Sequence, residues 1–94
     1  MLVLTVLADG PRHGYAINAA IEELTGSRLG PGSLYGALAR LEARGLIQPV
    51  DGGDDERHRT MRITKSGRVT LRAELEQMNR VAKAGLRALG IRTA

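Results

Sequence analysis

A chain of 94 residues is one small domain, near the size at which a single apolar core is adequate but marginal, so a long helix left outside that core needs a partner. With no Cys there is no disulfide, thiolate metal site or thiol nucleophile, and two Tyr without Trp or Phe argue against the base-stacking platforms of single-strand readers. The net charge of +4 is unevenly spread: residues 1 to 56 carry four Arg against eight acids, a net of −4, and residues 57 to 94 carry ten Lys or Arg against two acids, a net of +8. The C-terminal part therefore offers attraction to nucleic acid or an acidic membrane surface, the alternative being a merely solvated basic face.

Residues 2 to 8, LVLTVLA, form the longest apolar run. It is too short to span a bilayer, has no basic segment before it and no small-residue cleavage pattern after it, and reads as a core helix with no membrane partner. Asp9-Gly10-Pro11 ends it. From about His13 to Leu24 a second helix is predicted, because Ile17, Ala20, Ile21 and Leu24 repeat at helical spacing with Asn18, Glu22 and Glu23 outward, and Gly26 is placed to cap it. After a short connection, residues 30 to 45, GPGSLYGALARLEARG, mark a third helix at both ends. Pro31 suits the first helical position and Gly45 the left-handed residue past the last. Leu34, Leu38 and Leu41 form a stripe to be buried, while Ser33, Gly36, Ala37 and Arg40, with Tyr35 near the front, leave a face of little bulk. Such a helix fits the DNA major groove, and three short helices joined by tight loops are the helix-turn-helix arrangement.

After Gly45 the period changes. Leu46 to Val50 reads as an edge strand because it contains Pro49, and DGGDDE (residues 51 to 56) reads as a polar turn. Arg59 to Thr64 alternates, with Met61 and Ile63 on one face. The two strands make a ribbon, or wing, whose Arg57, His58, Arg59 and Arg62 can reach phosphates or the minor groove. From an N-cap at Thr64 a long helix follows, on which Leu71, Leu75, Met78, Ala82, Gly85 and Leu89 fall at alternating spacings of four and three. A three-helix body cannot cover that seam, so a second copy of the chain is expected there, with Leu71, Leu75, Met78, Ala82, Leu86 and Leu89 at the interface; the alternative is a helix folded back on its own domain. The expected fold is mainly α with a small β-ribbon: a winged helix-turn-helix domain over residues 1 to 64 and a long C-terminal dimerisation helix over residues 65 to 94.

With these residues in hand, the chain resembles the PadR family of transcriptional regulators over essentially its whole length. The matching landmarks are LADGPRHGYAI (Leu7 to Ile17), PGSLYGALARLEARGLI (Pro31 to Ile47) and RITKSG (Arg62 to Gly67). The resemblance implies a homodimeric winged helix-turn-helix repressor that dimerises through its C-terminal helix, and in some members a small-molecule inducer binds at or near the dimer interface. Several positions depart from the family pattern. Gly30 stands where many relatives place Ser, Thr60 and Met61 stand where a wing tyrosine is common, and the C-terminal helix has no aromatic residue to sandwich a flat ligand.

The residues expected to contact double-stranded DNA are Gly32, Ser33, Tyr35, Gly36 and Arg40 on the third helix and Arg57, His58 and Arg59 in the wing. Free amides after Gly30, with the Ser33 hydroxyl, suit a phosphate; Arg40 suits a base edge or a phosphate. Tyr35 has two uses, a phosphate contact or packing under the wing. Arg44 reads as a solvated or intramolecular charge and His13 as a cap of the second helix, with a DNA contact as the alternative. Protonation of His58 would strengthen phosphate binding as pH falls. Catalysis is not expected, because two separated His and acids clustered in one turn assemble no nucleophile and base. No cofactor or metal is expected either, since DGGDDE lacks the spacing of a calcium loop. The favoured function is a dimeric repressor on a palindromic operator in the cytoplasm. The alternatives are a winged-helix module that docks a protein and, with less support from a net charge of only +4, a non-specific nucleoid binder.

Overall fold

The computed structural model describes residues 1–50 and 59–91. Its elements are α1 (Leu2–Leu7), β1 (Arg12–His13), α2 (Gly14–Thr25), α3 (Pro31–Ala43), β2 (Ile47–Pro49), β3 (Thr60–Ile63) and α4 (Lys65–Ala88). One apolar core draws on all four helices and the two longer strands: Val3, Leu4, Val6 and Leu7 of α1, Ile17 and Ile21 of α2, Leu34 and Leu38 of α3, Leu46, Ile47, Met61, Ile63 and Leu71. The periodic positions behave as their spacing requires, except at the end of α2. Leu24 stays 58% exposed, on the rim of a groove that it lines with Thr5, Val6 and Ala20.

The ribbon expected from the sequence is a three-stranded antiparallel sheet in the order β1-β3-β2. Arg12 pairs with Met61 and His13 with Thr60, which makes β3 the central strand. The turn that ends α1 leaves these two residues extended, and the Arg12 Nε donates to the Val6 carbonyl at 3.2 Å to hold them there. On the other side Ile47, Gln48 and Pro49 pair with Ile63, Arg62 and Met61, so Pro49 sits on an edge, where its missing donor costs no ladder bond.

Thr64 caps α4 as its position suggests. Its Oγ1 accepts from the Gly67 amide at 3.0 Å and donates to the Gly45 carbonyl at 2.7 Å, which ties the start of α4 to the end of α3. Gly67 lies flat on the chain, and a Cβ there would overlap the Leu46 carbonyl oxygen and the Ile63 side chain. The first two turns of α4 are therefore part of the winged body. Leu71, expected to face a second chain, is instead buried in its own core at 6% exposure, because this stretch of α4 packs on α1. Beyond it, Leu75, Met78, Val81 and Leu89 are exposed and Leu86 is half-buried.

Candidate nucleic-acid interface

α3 begins with little in its way. Gly30 is its N-cap and supplies no side-chain bond, Pro31 occupies the first position, and the first helical hydrogen bond runs from the Leu34 amide to the Gly30 carbonyl at 2.9 Å. The amides of Gly32 and Ser33 precede that bond and belong to exposed residues, a geometry suited to an anion. Leu34 and Leu38 face the core, which turns Gly32, Ser33, Gly36, Ala39, Arg40 and Ala43 to the opposite side. Ala37, expected on the slim face, packs against the core instead, and Ala39, one position from the exposed Arg40, takes its place outside. The Arg40 guanidinium lies over Gly36, close enough that a Cβ there would stand 3.3 Å from its Nη1.

Tyr35 packs toward α2. It is half-buried, and its hydroxyl and ring lie so near Gly14 that a Cβ on that residue would sit 3.1 Å from the phenolic oxygen. Together with Leu38, Ala39, Arg59 and Met61, Tyr35 walls a gap of about 40 Å³ under the root of the wing. Arg59, expected to reach DNA, reaches back to α3. Its Nη2 meets the Glu42 Oε2 at 2.7 Å, with the two side chains only 21% and 37% exposed. An arginine in the wing and an acid on the helix carried opposite-charge logic in the sequence, but nothing in their spacing said that they meet. Arg57 and His58 lie outside the described residues, as does the DGGDDE turn.

A neighbouring surface was not legible from spacing. Asn18, expected to point outward, holds the loop before α3 at both atoms of its amide, with Oδ1 accepting from the Leu29 amide and Nδ2 donating to the Leu29 carbonyl, each at 2.8 Å. This fixes Arg28, whose Nε meets the Glu22 Oε1 at 3.1 Å and whose guanidinium lies 5.4 Å from the centre of the Tyr15 ring. The hydrogen bond to Glu22 first, and the nearby Tyr15 second, raise the pKa of this guanidinium above its already high ordinary value. Tyr15 is 68% exposed and stacked on His13, whose Nδ1 accepts from the Ala16 amide at 3.4 Å and so caps α2 as expected. Among the described residues no group of His, Asp and Glu is arranged to hold a metal, and no helix is long and apolar enough to cross a membrane.

The family model described as Transcriptional regulator PadR-like family matches residues 3–73, from α1 to just past Leu71. An uncharacterized 37.1 kDa protein in transposon TN4556 of Streptomyces fradiae is 57% identical over 82 residues, which are 87% of this chain and 23% of that protein. The chain thus spans less than a quarter of that relative. Among solved structures, a transcriptional regulator from Clostridium thermocellum superposes with a TM-score of 0.78 at 28% identity, over 92% of this chain and 87% of its own. A PadR family transcriptional regulator from Eggerthella lenta does so with a TM-score of 0.69 at 31% identity, over 94% and 80%. For RosR of H. salinarum the TM-score is 0.70 at 26% identity, over 95% and 89%.

Proposed function

The chain belongs to the PadR-like family of transcriptional regulators, and from that premise we propose that it is a homodimeric, sequence-specific repressor that reads a palindromic operator with α3. Regulators of this family are not enzymes. The observation that carries the proposal is the open side of α3, where Gly32, Ser33, Gly36, Ala39 and Ala43 hold bulk away while Arg40 supplies one long cationic side chain. A helix so shaped can lie close to base edges, with the Ser33 hydroxyl and the first-turn amides on a phosphate and Arg40 bidentate on a guanine or on the backbone. Arg57 and His58 of the wing add phosphate contacts in this reading, and the cytoplasm is where such a protein works.

Dimerisation is supported by the outer part of α4, whose Leu75, Met78, Val81 and Leu89 are exposed on a helix otherwise rich in charge. The inducer is supported by the groove beside that seam, about 480 Å³ in volume and lined by Met1, Glu74, Gln77, Met78 and Val81, where a bound molecule would bias the spacing of the two copies. Selection of duplexes from a random pool, followed by affinity measurements across a salt series, tests the central claim. The expected result is one enriched palindrome with half-sites a helical turn or a multiple of it apart, and an affinity that falls steeply with salt. Uniform weak binding with no enriched sequence would overturn sequence-specific repression. Arg40→Ala is expected to weaken binding to the selected duplex and relax its preference at one position; unchanged binding would favour a protein-docking role for the same face.

A further inference from the structure

We propose that Glu42 is a positioning residue for DNA binding, acting through Arg59 to hold the wing against the recognition helix. This rests on the DNA-reading role proposed above. Glu42 lies on the wing side of α3, in one row with Tyr35 and Leu38, and its carboxylate meets the Arg59 guanidinium at 2.7 Å in a half-buried setting. Arg59 stands immediately before β3, where the chain returns from the wing. The last rung described on that ladder is the bond from the Val50 amide to the Thr60 carbonyl, at 2.8 Å. The ion pair therefore ties the chain just before β3 to α3, beside the gap walled by Tyr35 and Met61.

Electrostatics alone assigns Glu42 the opposite effect. An acid on a helix that approaches a polyanion repels it, so its removal should strengthen binding. A clamp reverses the sign, because a freed wing must be ordered again on the duplex, and that ordering opposes binding. The same logic separates two uses of Arg59. An arginine that neutralises a phosphate contributes about 0.9 to the slope of log affinity against log salt, whereas one engaged by Glu42 contributes little.

The test compares the 94-residue wild-type chain with Glu42→Gln, Arg59→Gln and the double variant on the duplex that the wild type selects from a random pool. Each single change is expected to weaken binding by about five-fold, the worth of a partly exposed ion pair, and the double variant to be no weaker than either single one. The salt slope is expected to stay unchanged throughout. Tighter or equal binding by Glu42→Gln, or a slope lowered by Arg59→Gln, would overturn the proposal. A second readout needs no DNA. Hydrogen exchange at the Val50 amide is expected to quicken in Glu42→Gln, with exchange in α1 and α2 unaltered, and an unaltered Val50 would also overturn the clamp. If the wild type selects no duplex, the DNA-reading role fails while the exchange measurement still decides whether Glu42 holds the wing.

Discussion

At the start of α4, two residues three positions apart do different work. Thr64 closes the helix end by accepting from the Gly67 amide and donating to the Gly45 carbonyl, so Thr64→Ala removes a cap and leaves a carbonyl without that partner. A loss of roughly 1–2 kcal/mol is expected in urea unfolding of the full chain. Gly67 makes no bond with its side, yet Gly67→Ala is expected to cost more. Its new methyl group would meet the Leu46 carbonyl oxygen, a backbone atom that cannot swing away, and relief requires α4 to lift from the sheet and take Leu71 with it. Overpacking against a rigid neighbour costs about 1–3 kcal/mol or more, so the alanine at 67 should unfold at lower urea than the alanine at 64. The reverse order would show that α4 shifts freely on the body.

The two sides of α3 can be separated by experiment because Gly36 faces outward with only the mobile end of Arg40 nearby. Gly36→Leu is expected to raise or preserve stability, since leucine favours a helix interior over glycine by roughly 0.5–1 kcal/mol. Duplex affinity should fall by tenfold or more, because the branched side chain holds the helix off the base edges. Loss of binding with a preserved unfolding transition is the diagnostic pair, and a Gly36→Leu protein that still binds its duplex would remove α3 from the interface. Elements with strong periods and marked ends were legible in the sequence for a physical reason: in α2 and α3 burial repeats with the helix, and caps such as Gly26 and Gly45 adopt the positive φ their positions imply. What depends on distant contacts was not. β1 is two residues long and carries no alternation, Ala37 and Ala39 differ only in which neighbour reaches them, and the Glu42 to Arg59 pair joins residues seventeen positions apart. Leu71 belongs to the heptad seam and to the core at once, and the pattern alone does not say which neighbour covers it.

On the scale of the whole molecule, the body and the outer half of α4 place opposite demands on the same helix. The body needs α4 only as far as Leu71, which fits in its core, whereas Leu75, Met78, Val81 and Leu89 present a continuing apolar stripe with 40%, 51%, 66% and 75% of their surface exposed. Covering such side chains contributes roughly 1.5–3 kcal/mol each when burial is complete, and a second copy offers the same stripe by symmetry. Two wings and two α3 helices would then stand in fixed relation, which is what a palindrome requires. The variant carrying Leu75→Glu and Met78→Glu is expected to sediment as a monomer, because four buried carboxylates would face one another across the two-fold axis. Its winged body should stay folded, since neither residue belongs to the core, whereas Leu71→Glu should unfold the body itself. Affinity for the selected palindrome should drop toward that of an isolated half-site, and the mass and the affinity must change together. A charged variant that remained dimeric at micromolar concentration would place the interface elsewhere on the molecule, and one that became monomeric yet bound the palindrome undiminished would show that each body reads DNA without its twin.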